Sequence, residues 1–469
     1  MATFNLTTGI DTITGTAAND EFEGRNGNTL QTGDVIDGGA GSDFLVANTD
    51  RNGTPAPTIS NVEYVWLTTG GQPVSLRDVS GVNYLATERS SIVLEDVGAD
   101  DLSTRFSARL VESGTVQLRF EGGALEAPND TLNLRSVASN VTFTSDSTFD
   151  STADGEQNRT EDALRIEAVS LQLLGGRPQA EFDNQVDLSD FRAITELTLF
   201  GRANSKVTID SPELETIDAR FTTGGVTVTS DIAGDQTVFG GTGDDDFKTG
   251  AGNDTVKLGA GDDILMAGGG DNTVFGGAGD DEITSEQGRD RIWSGEGDDT
   301  INSGSGDDLI RGGAGADEIM AGDGADNAAG GDGDDVIDGQ GGADRLSDGA
   351  GNDRVRGGSD NDILFMGQGD DTFLGEGGED TFIFRGTDLG SDVVEDFTLT
   401  GNAATNDTVF FDFEGSLVRL TSQQEFEDFF DANRESDRVS VDQGTSTFTV
   451  LADGGTLELN VTDTDFLFA

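Results

Sequence analysis

The 469-residue chain has 90 acidic and 27 basic residues, a formal charge of −63, and neither cysteine nor histidine. This balance argues against a nucleic-acid partner, which needs clustered basic residues, and it excludes disulfides, thiolate chemistry and imidazole ligands. The 68 glycines and the many aspartates instead suit a cation that prefers oxygen ligands.

The sequence contains no membrane-crossing signal. No apolar run approaches the roughly 20 residues that span a bilayer, and the start MATFNLTTG has neither the basic nor the apolar part of an N-terminal signal peptide. We therefore expect no transmembrane segment, and we expect that any export uses another address.

Residues 1–46 contain four degenerate copies of a nine-residue unit. They read LTTGIDTIT, GTAANDEFE, TLQTGDVID and GGAGSDFLV, and residues 24–28 form an insert between the two pairs. The sixth position of each copy is an aspartate: Asp11, Asp20, Asp34 and Asp43.

Residues 47–235 change to short β-rich segments such as VEYVWL, SIVLED and VQLRF, separated by small polar residues. Near the end of this region LTLF, KVTID, ETIDARF and VTVTS recur about every ten residues, which predicts a two-strand coil of about twenty. The more polar residues 128–160 and 175–186 are predicted to be loops. The region as a whole is predicted to be a β-solenoid.

Residues 236–383 form the main block, in which sixteen nonapeptides follow one another without a gap from residue 240. Each unit predicts a six-residue glycine-rich turn and a three-residue strand, with the eighth residue pointing into a narrow core. Two units make one turn of the coil. Asp360 replaces a turn glycine, so we expect a distorted turn or a weaker site there. The sixth positions are Asp245, Asp254, Asp263, Asn272, Asp281, Asp290, Asp299, Asp308, Asp317, Asp326, Asp335, Asp344, Asp353, Asp362, Asp371 and Asp380.

Stacking predicts the chemistry of these positions. Repeat n lies beneath repeat n+2, so their carboxylates meet, and a Ca²⁺ between them takes oxygens from both aspartates and from backbone carbonyls of the turns. Two columns of eight give at most about fourteen such gaps, on the order of a dozen ions. Residues 240–383 carry 35 acidic and 8 basic residues, a charge of −27, which about fourteen calcium ions would neutralise. The four N-terminal copies are expected to add one or two ions.

The sixteen units resemble the calcium-binding repeats of the RTX (repeats-in-toxin) superfamily. That resemblance implies an all-β fold, a parallel β-solenoid or β-roll with calcium in its turns, calcium-triggered folding and type I export. Residues 384–469 then resemble a small β-rich cap that ends in an uncleaved secretion signal. The final residues are Asp465, Phe466, Leu467, Phe468 and Ala469.

The cap contains one predicted helix, in SQQEFEDFFDANR. Ser422 and Glu425 form a capping box, and Phe426, Phe429 and Phe430 share one face. We expect these phenylalanines to pack in the core.

The N-terminal motifs NLTTGIDTITGTAANDEFEG, GDVIDGGAGSDFLVANT and ISNVEYVWLTTGG are similar to the start of the calcium-binding region in Caulobacter-type surface-layer proteins. This second resemblance implies a secreted protein of the cell surface, whose partner is its own copies in a calcium-bridged lattice, with cell-surface polysaccharide as a further partner.

Two other function classes compete with this interpretation. An enzyme is disfavoured because the chain has no histidine for a zinc site or a catalytic triad, no GxSxG motif and only two tyrosines. A secreted RTX adhesin or glycan- or protein-binding module remains the alternative, and exposed aromatic residues on one solenoid face would favour it.

Overall fold

The computed structural model describes most of the chain. The described residues are 2–24, 29–49, 56–68, 73–75, 79, 82, 84–88, 92–97, 105–109, 114–120, 131–137, 139–145, 168–174, 184–188, 194–384, 389–398, 406–413, 416–433, 439–442, 447–452 and 455–461. The chain divides into two compact units, Met1–Gly250 and Ala251–Ala469. The proposed secretion signal at residues 465–469 and most of the N-terminal insert, residues 25–28, lie outside the described residues.

The first unit is a parallel β-solenoid. Odd-numbered strands pair with odd-numbered strands, and even with even, so the coil has two strands per turn. Its strands are β1 Thr3–Asn5, β2 Thr12–Thr14, β3 Glu21–Gly24, β4 Val35–Asp37, β5 Phe44–Asn48, β6 Thr58–Ser60, β7 Tyr64–Thr68, β8 Pro73–Ser75, β9 Tyr84–Glu88, β10 Ile92–Val97, β11 Arg105–Arg109, β12 Gly114–Phe120, β13 Thr131–Val137, β14 Ser139–Ser145, β15 Ala168–Leu174, β16 Asn184–Asp187, β17 Glu196–Gly201, β18 Ser205–Thr208, β19 Thr216–Thr222, β20 Val226–Thr229, β21 Thr237–Phe239 and β22 Asp246–Lys248.

The predicted two-strand coil of about twenty residues is confirmed near the end of this unit. Glu196 of β17 pairs with Thr216 of β19, and Ser205 of β18 pairs with Val226 of β20. Leu197, Leu199, Val207 and Val228 are buried, because alternate residues of a strand point to opposite faces and one face lines the core.

The prediction of loops at 128–160 and 175–186 is wrong in part. Strands β13 and β14 lie within the first range, and β16 begins within the second. The sequences TLNLRSV and SNVTFTS alternate apolar and polar residues, which is the period of a strand. Polar residues outnumber apolar ones in both segments, so their overall composition resembles that of a loop. Parallel pairing with β15 on one sheet and with β12 on the other places both strands in the coil.

The second unit is also a parallel β-solenoid, and its last strands close it. Its elements are β23 Thr255–Ala260, β24 Ile264–Met266, β25 Thr273–Ala278, β26 Glu282–Thr284, β27 Arg291–Glu296, β28 Thr300–Asn302, β29 Leu309–Ala314, β30 Glu318–Met320, β31 Asn327–Asp332, β32 Val336–Asp338, β33 Arg345–Ala350, β34 Arg354–Ser359, β35 Ile363–Met366, β36 Thr372–Gly377, β37 Thr381–Phe384, β38 Gly390–Phe397, β39 Thr408–Phe413, β40 Ser416–Leu420, α1 Gln423–Asn433, β41 Val439–Asp442, β42 Thr447–Leu451 and β43 Gly455–Val461.

One coil of the repeat block takes two nonapeptides. Thr255 pairs with Thr273 and Glu282 with Thr300, so strands repeat every 18 residues on each side of the roll. The eighth residue of each unit is buried, as predicted, from Val256 through Ile301 to Phe382. The core is therefore one apolar side chain wide per unit, each contributing about 2 kcal/mol by burial.

Turn glycines adopt backbone conformations that other residues avoid. The fourth residue of the unit has a positive φ from Gly261 at +128° to Gly369 at +135°. Asp360 occupies the same position with a φ of +78°, so the turn keeps its left-handed conformation despite the aspartate, at a cost of order 1 kcal/mol. The expected distortion is thus limited to local strain.

The C-terminal cap contains antiparallel strands and the predicted helix. Strand β40 turns back along β39, while β41, β42 and β43 form an antiparallel sheet edge on β38. Phe426 of α1 is buried against Phe397, and Phe429 meets Phe411 edge-on. The Ser422 hydroxyl accepts the Glu425 N–H, so the capping residue is as predicted. The Glu425 carboxylate accepts the N–H of Thr421 and not that of Ser422, so the reciprocal half of the predicted capping box is displaced by one residue.

The predicted fold class, an all-β parallel solenoid with a cap and one short helix, is confirmed for the described residues. The predicted domain boundaries at 46, 235 and 383 remain predictions. Among the described residues, no helix combines the length and the apolar character needed to cross a membrane.

The close stacking of turns generates a test with a matched pair of glycines. Gly313 has a φ of +129°, and a Cβ there would overlap the Gly295 carbonyl oxygen of the turn below. At Gly269 the nearest atom to an added Cβ is the Gln287 carbonyl oxygen at 3.8 Å. We expect Gly313→Ala to lower the free energy of unfolding by at least about 2 kcal/mol and Gly269→Ala to change it by less than about 0.5 kcal/mol.

Denaturant unfolding in millimolar calcium, followed by circular dichroism, measures both variants. Equal midpoints for the two alanine variants would show that the turns do not stack as closely as described.

Candidate metal centre

The sixth-position aspartates form two continuous hydrogen-bonded columns in the second unit. The backbone N–H of Asp299 donates to Oδ1 of Asp317 at 2.9 Å, and the N–H of Asp317 donates to Oδ1 of Asp335 at 2.9 Å. The same bond recurs at each step, so every carboxylate is tied to the turn that precedes it in its column. One column contains Asp263, Asp281, Asp299, Asp317, Asp335, Asp353, Asp371 and Asp392. The other contains Asp254, Asn272, Asp290, Asp308, Asp326, Asp344, Asp362, Asp380 and Asp407.

These columns include fifteen of the sixteen predicted residues. The sixteenth, Asp245, lies in the first unit, where its two carboxylate oxygens accept the N–H groups of Val226 and Gly241. The expectation that repeats n and n+2 bring their sixth positions together is therefore what the geometry shows.

In many of these aspartates the second oxygen is buried and lacks a donor. No column residue is more than 3% exposed. The column residues whose Oδ2 has no hydrogen-bond partner among the described residues include Asp281, Asp317, Asp326, Asp335, Asp344, Asp353 and Asp362. Because a buried charged oxygen without a partner is costly, each is an acceptor that a cation would satisfy.

A second set of oxygens converges on the same places. At Gly312, the first residue of its unit, an added Cβ would overlap Oδ2 of Asp317 and lie 2.6 Å from the Gly330 carbonyl oxygen. Gly357 shows the same arrangement with Asp362 and the Gly375 carbonyl. Only glycine leaves this space open. Carboxylate and carbonyl oxygens together are the donor set that Ca²⁺ prefers.

The electrostatics of the columns also call for a cation. Burial, with a smaller contribution from neighbouring aspartates, raises the pKa of Asp281, Asp326 and Asp335 to about 7. The pKa of Asp380 rises to about 8, mainly by burial and then through Asp407. Neutral pH thus places the ionised columns under strain, which divalent ions between the carboxylates would relieve.

Asn272 departs from the pattern. Its Oδ1 accepts the Asp254 N–H at 2.9 Å, while its Nδ2 donates to the Ser285 hydroxyl at 3.1 Å. The amide therefore keeps the column continuous but presents a nitrogen where aspartate would present its second oxygen. The two gaps that it borders can receive fewer carboxylate oxygens than the others.

The degenerate N-terminal copies form the same ladder with a longer step. The N–H of Asp11 donates to Oδ1 of Asp34, and that of Asp20 to Oδ1 of Asp43, in both cases 23 residues apart. The ladder extends to Glu63, whose Oε2 accepts the Asp43 N–H at 2.7 Å. The five-residue insert accounts for the difference from the 18-residue step.

These N-terminal carboxylates are satisfied differently. The Thr16 N–H donates to Oδ2 of Asp20, and the Gln31 N–H to Oδ2 of Asp34. Backbone donors lower the pKa of Asp20, whereas burial raises that of Asp43. Only Asp43 of the four has a buried Oδ2 without a partner among the described residues, so it is the strongest N-terminal candidate for an ion.

Sequence reasoning missed the last member of each column. Asp392 and Asp407 lie beyond the sixteenth repeat, yet they accept the N–H groups of Asp371 and Asp380 at 3.1 and 3.0 Å. Both begin a triplet of aspartate, any residue and valine, which matches positions six to eight of the unit without its glycine turn. That triplet was the available signal.

Sequence reasoning also missed a second ladder of hydrogen bonds, which is exposed and joins the fifth residues of the units. The Asp298 N–H donates to Oδ1 of Asp280, and the Ala316 N–H donates to Oδ1 of Asp298. Here the later turn donates to the earlier one, opposite to the buried columns. This acidic ladder faces solvent along the turns.

The buried columns generate a test at one residue. Asp317 borders two gaps in its column, so Asp317→Asn should weaken two ions while the amide still accepts the Asp299 N–H. Each lost site would remove about 1.8 kcal/mol of stabilisation at ~2 mM calcium for a Kd of ~0.1 mM. Bound calcium is counted by equilibrium dialysis, and the calcium midpoint of folding is measured by circular dichroism. Asp323→Asn, at an exposed position, is the matched control; identical stoichiometry and midpoint in the two variants would contradict the assignment.

The raised pKa values also predict how the stability of the metal-free protein, held in chelator, depends on pH. The ordinary pKa of an aspartate is 3.8, and burial raises the pKa of Asp281 and Asp326 in the fold to about 7. The fold therefore takes up protons, and its metal-free stability should increase as the pH falls from about 8 towards 5.5. Circular dichroism in chelator should show β-structure at pH 5.5 that is lost at pH 8. A metal-free signal that is insensitive to pH would show that the carboxylates are not buried together.

Comparison with known protein families agrees with this geometry. The model of the RTX calcium-binding nonapeptide repeat matches residues 5–29, 32–52, 232–265, 258–292, 266–301, 293–328, 320–353, 329–364 and 347–382. No curated protein matches the chain. The resemblance to RTX repeats is thus confirmed for these segments. The chain carries RTX calcium-binding nonapeptide repeats, and its repeat block is a calcium-binding β-roll of the RTX type.

Proposed function

We propose that the chain is a calcium-dependent structural protein of the cell surface. In this proposal it leaves the cell by a type I pathway, folds on extracellular calcium and assembles with its own copies into a surface-layer-type lattice. The observation that carries the proposal is the pair of buried aspartate columns, because the roll needs many divalent ions to be stable at neutral pH. Proteins with these repeats are typically secreted, which supports the extracellular location.

Calcium links folding to location. Inside the cell, where free calcium is scarce, the ionised columns keep the repeat block unfolded and suited to export. Outside, each ion that binds only the folded state adds to its stability. A dozen independent sites with a Kd of ~0.1 mM would together add about 20 kcal/mol at ~2 mM calcium, more than the ~5 to 15 kcal/mol that stabilises a typical domain.

Charge supports self-assembly under the same control. A chain with a formal charge of −63 repels its own copies. The exposed fifth-position ladder, with Asp280 and Asp298, adds carboxylates that remain on the surface after the inner columns are filled. Divalent ions at such positions would screen and bridge neighbouring copies. The proposed partner is therefore the chain itself, with cell-surface polysaccharide as an additional contact.

The proposal assigns the chain no catalytic activity. The sequence contains no histidine and no cysteine. In the buried aspartates of the columns, one carboxylate oxygen already accepts a backbone N–H. A structural role is the simplest use of carboxylates that are repeated at an 18-residue step.

A secreted adhesin or glycan-binding module is the second candidate, and one observation favours it. The rings of Phe275 and Trp293 stack 4.9 Å apart on neighbouring strands, and Lys257 Nζ lies 5.5 Å from the Phe275 ring. Arg311 lies next in the same row of side chains, because it pairs with Trp293 on the neighbouring strand. Phe275 is 38% exposed. The row from Lys257 to Arg311 therefore presents aromatic edges and basic groups on an otherwise acidic roll.

Electron microscopy of purified protein moved from chelator into millimolar calcium tests the proposal. Circular dichroism on the same samples reports folding. Regular sheets or tubes should form only when β-structure forms, because the same ion neutralises the columns and bridges the copies.

Asp280→Asn combined with Asp298→Asn should weaken assembly while leaving the roll folded, since both residues are on the exposed ladder. Fully folded, dispersed monomers at high protein concentration would overturn the proposal of a lattice. The search would then turn to a glycan or protein that binds the row of side chains containing Phe275 and Trp293.

A further inference from the structure

Apart from Asp245, which lies in the first unit, one buried aspartate of the repeat block lies outside the two columns. Asp348 occupies the first position of its nonapeptide, and it is the only acidic residue at that position among the sixteen units. Seven units have glycine there, and most of the others have a small residue. Asp348 is 0% exposed, so the repeat pattern does not account for its charge.

The neighbouring turns show where a first-position side chain points. An added Cβ at Gly312 or Gly357 meets Oδ2 of the sixth-position aspartate in its own unit. Asp348 fills this direction with a carboxylate. One oxygen of Asp348, one of Asp353 and one of Asp371 lie within 4.8 Å of one another, and no other such group of three occurs among the described residues. Three carboxylates therefore share this gap.

Two of the three carboxylates are fixed on one side and open on the other. Oδ1 of Asp353 accepts the Asp335 N–H at 2.7 Å, and Oδ1 of Asp371 accepts the Asp353 N–H at 2.9 Å. Oδ2 of Asp353 is buried without a hydrogen-bond partner among the described residues, and Asp353 is only 3% exposed. This orphaned oxygen, on a residue with no role in the apolar core, independently indicates a ligand in the gap.

Asp348 is itself held in place. Its Oδ1 accepts the Gly349 N–H at 2.6 Å, and its Oδ2 accepts the Gly367 N–H at 2.9 Å. These bonds preorganise the carboxylate without neutralising its charge. Since calcium affinity rises with the number of charged ligands and with the rigidity of the site, the gap differs from the others in both respects.

We propose that Asp348 adds a third carboxylate to the calcium site between Asp353 and Asp371 and makes it the tightest site of the roll. This ion is the last to leave when calcium is withdrawn. The inference rests on the calcium-dependent folding described under the proposed function, and it is independent of lattice assembly.

Calcium release from the loaded full-length chain tests this site. The protein is mixed rapidly with excess fluorescent chelator, and the released ions are counted by the amplitude of each phase. The wild type should show a slow phase of about one ion per chain, at least about tenfold slower than the main phase, a difference in line with one additional charged ligand. Asp348→Asn should move this ion into the main phase. Asp332→Asn is the control. It removes the same charge from an exposed residue, the third of its nonapeptide, and it should retain the slow phase.

A shared proton is the competing explanation for three carboxylates in one gap, and it predicts the opposite sign. Removing one negative charge would then relieve repulsion, so Asp348→Asn would fold at a lower calcium concentration than the wild type. Our proposal requires a higher one. A lower midpoint, or an unchanged slow phase in Asp348→Asn, overturns it.

Asp348→Gly guards against a variant that fails to fold, because glycine occupies this position in seven units. It should fold in calcium and also lose the slow phase; a slow phase retained by Asp348→Gly overturns the proposal. Release is measured on dispersed protein, so a failure of lattice assembly leaves this result unaffected.

Discussion

The fold depends on one repeated hydrogen bond, from the backbone N–H of a turn to the aspartate of the turn two units later. This bond fixes the register of the coil and draws each carboxylate into the interior. It uses Oδ1 and leaves Oδ2 buried, as in Asp317 and Asp335. The interaction that orders the turns thus creates a line of unsatisfied charge, which the fold tolerates only with cations or protons.

The apolar core is too narrow to bear that cost alone. Each unit contributes one fully buried side chain, such as Ile301 or Ile319. The N-terminal copies show a different solution, since a backbone N–H satisfies the second oxygen of Asp20 and of Asp34. Among the described residues no such donor reaches Oδ2 of Asp317 or Asp335, so a cation would take its place and make the stability of the roll conditional on calcium.

In the proposed function, conditional stability would keep the chain unfolded until it leaves the cell and make it rigid afterwards. The inner columns would couple the fold to calcium, and under the same proposal the exposed ladder provides the acidic groups through which the ion would join copies. Variation within the columns then grades the sites. Asn272 turns an amide nitrogen to Ser285 and so offers the gaps that it borders one carboxylate fewer, and in our proposal Asp348 strengthens one gap near the C-terminal end of the roll.

The sequence by itself determined the repeat, its inward sixth and eighth positions and the helix at Ser422, because each follows from periodicity or capping within a few residues. Only the tertiary structure decided that Asp392 and Asp407 complete the columns, that Asn272 turns its nitrogen to Ser285, and that Asp348 joins the Asp353 gap. These features depend on neighbours in other turns of the coil, often 18 or more residues away, which no local pattern specifies.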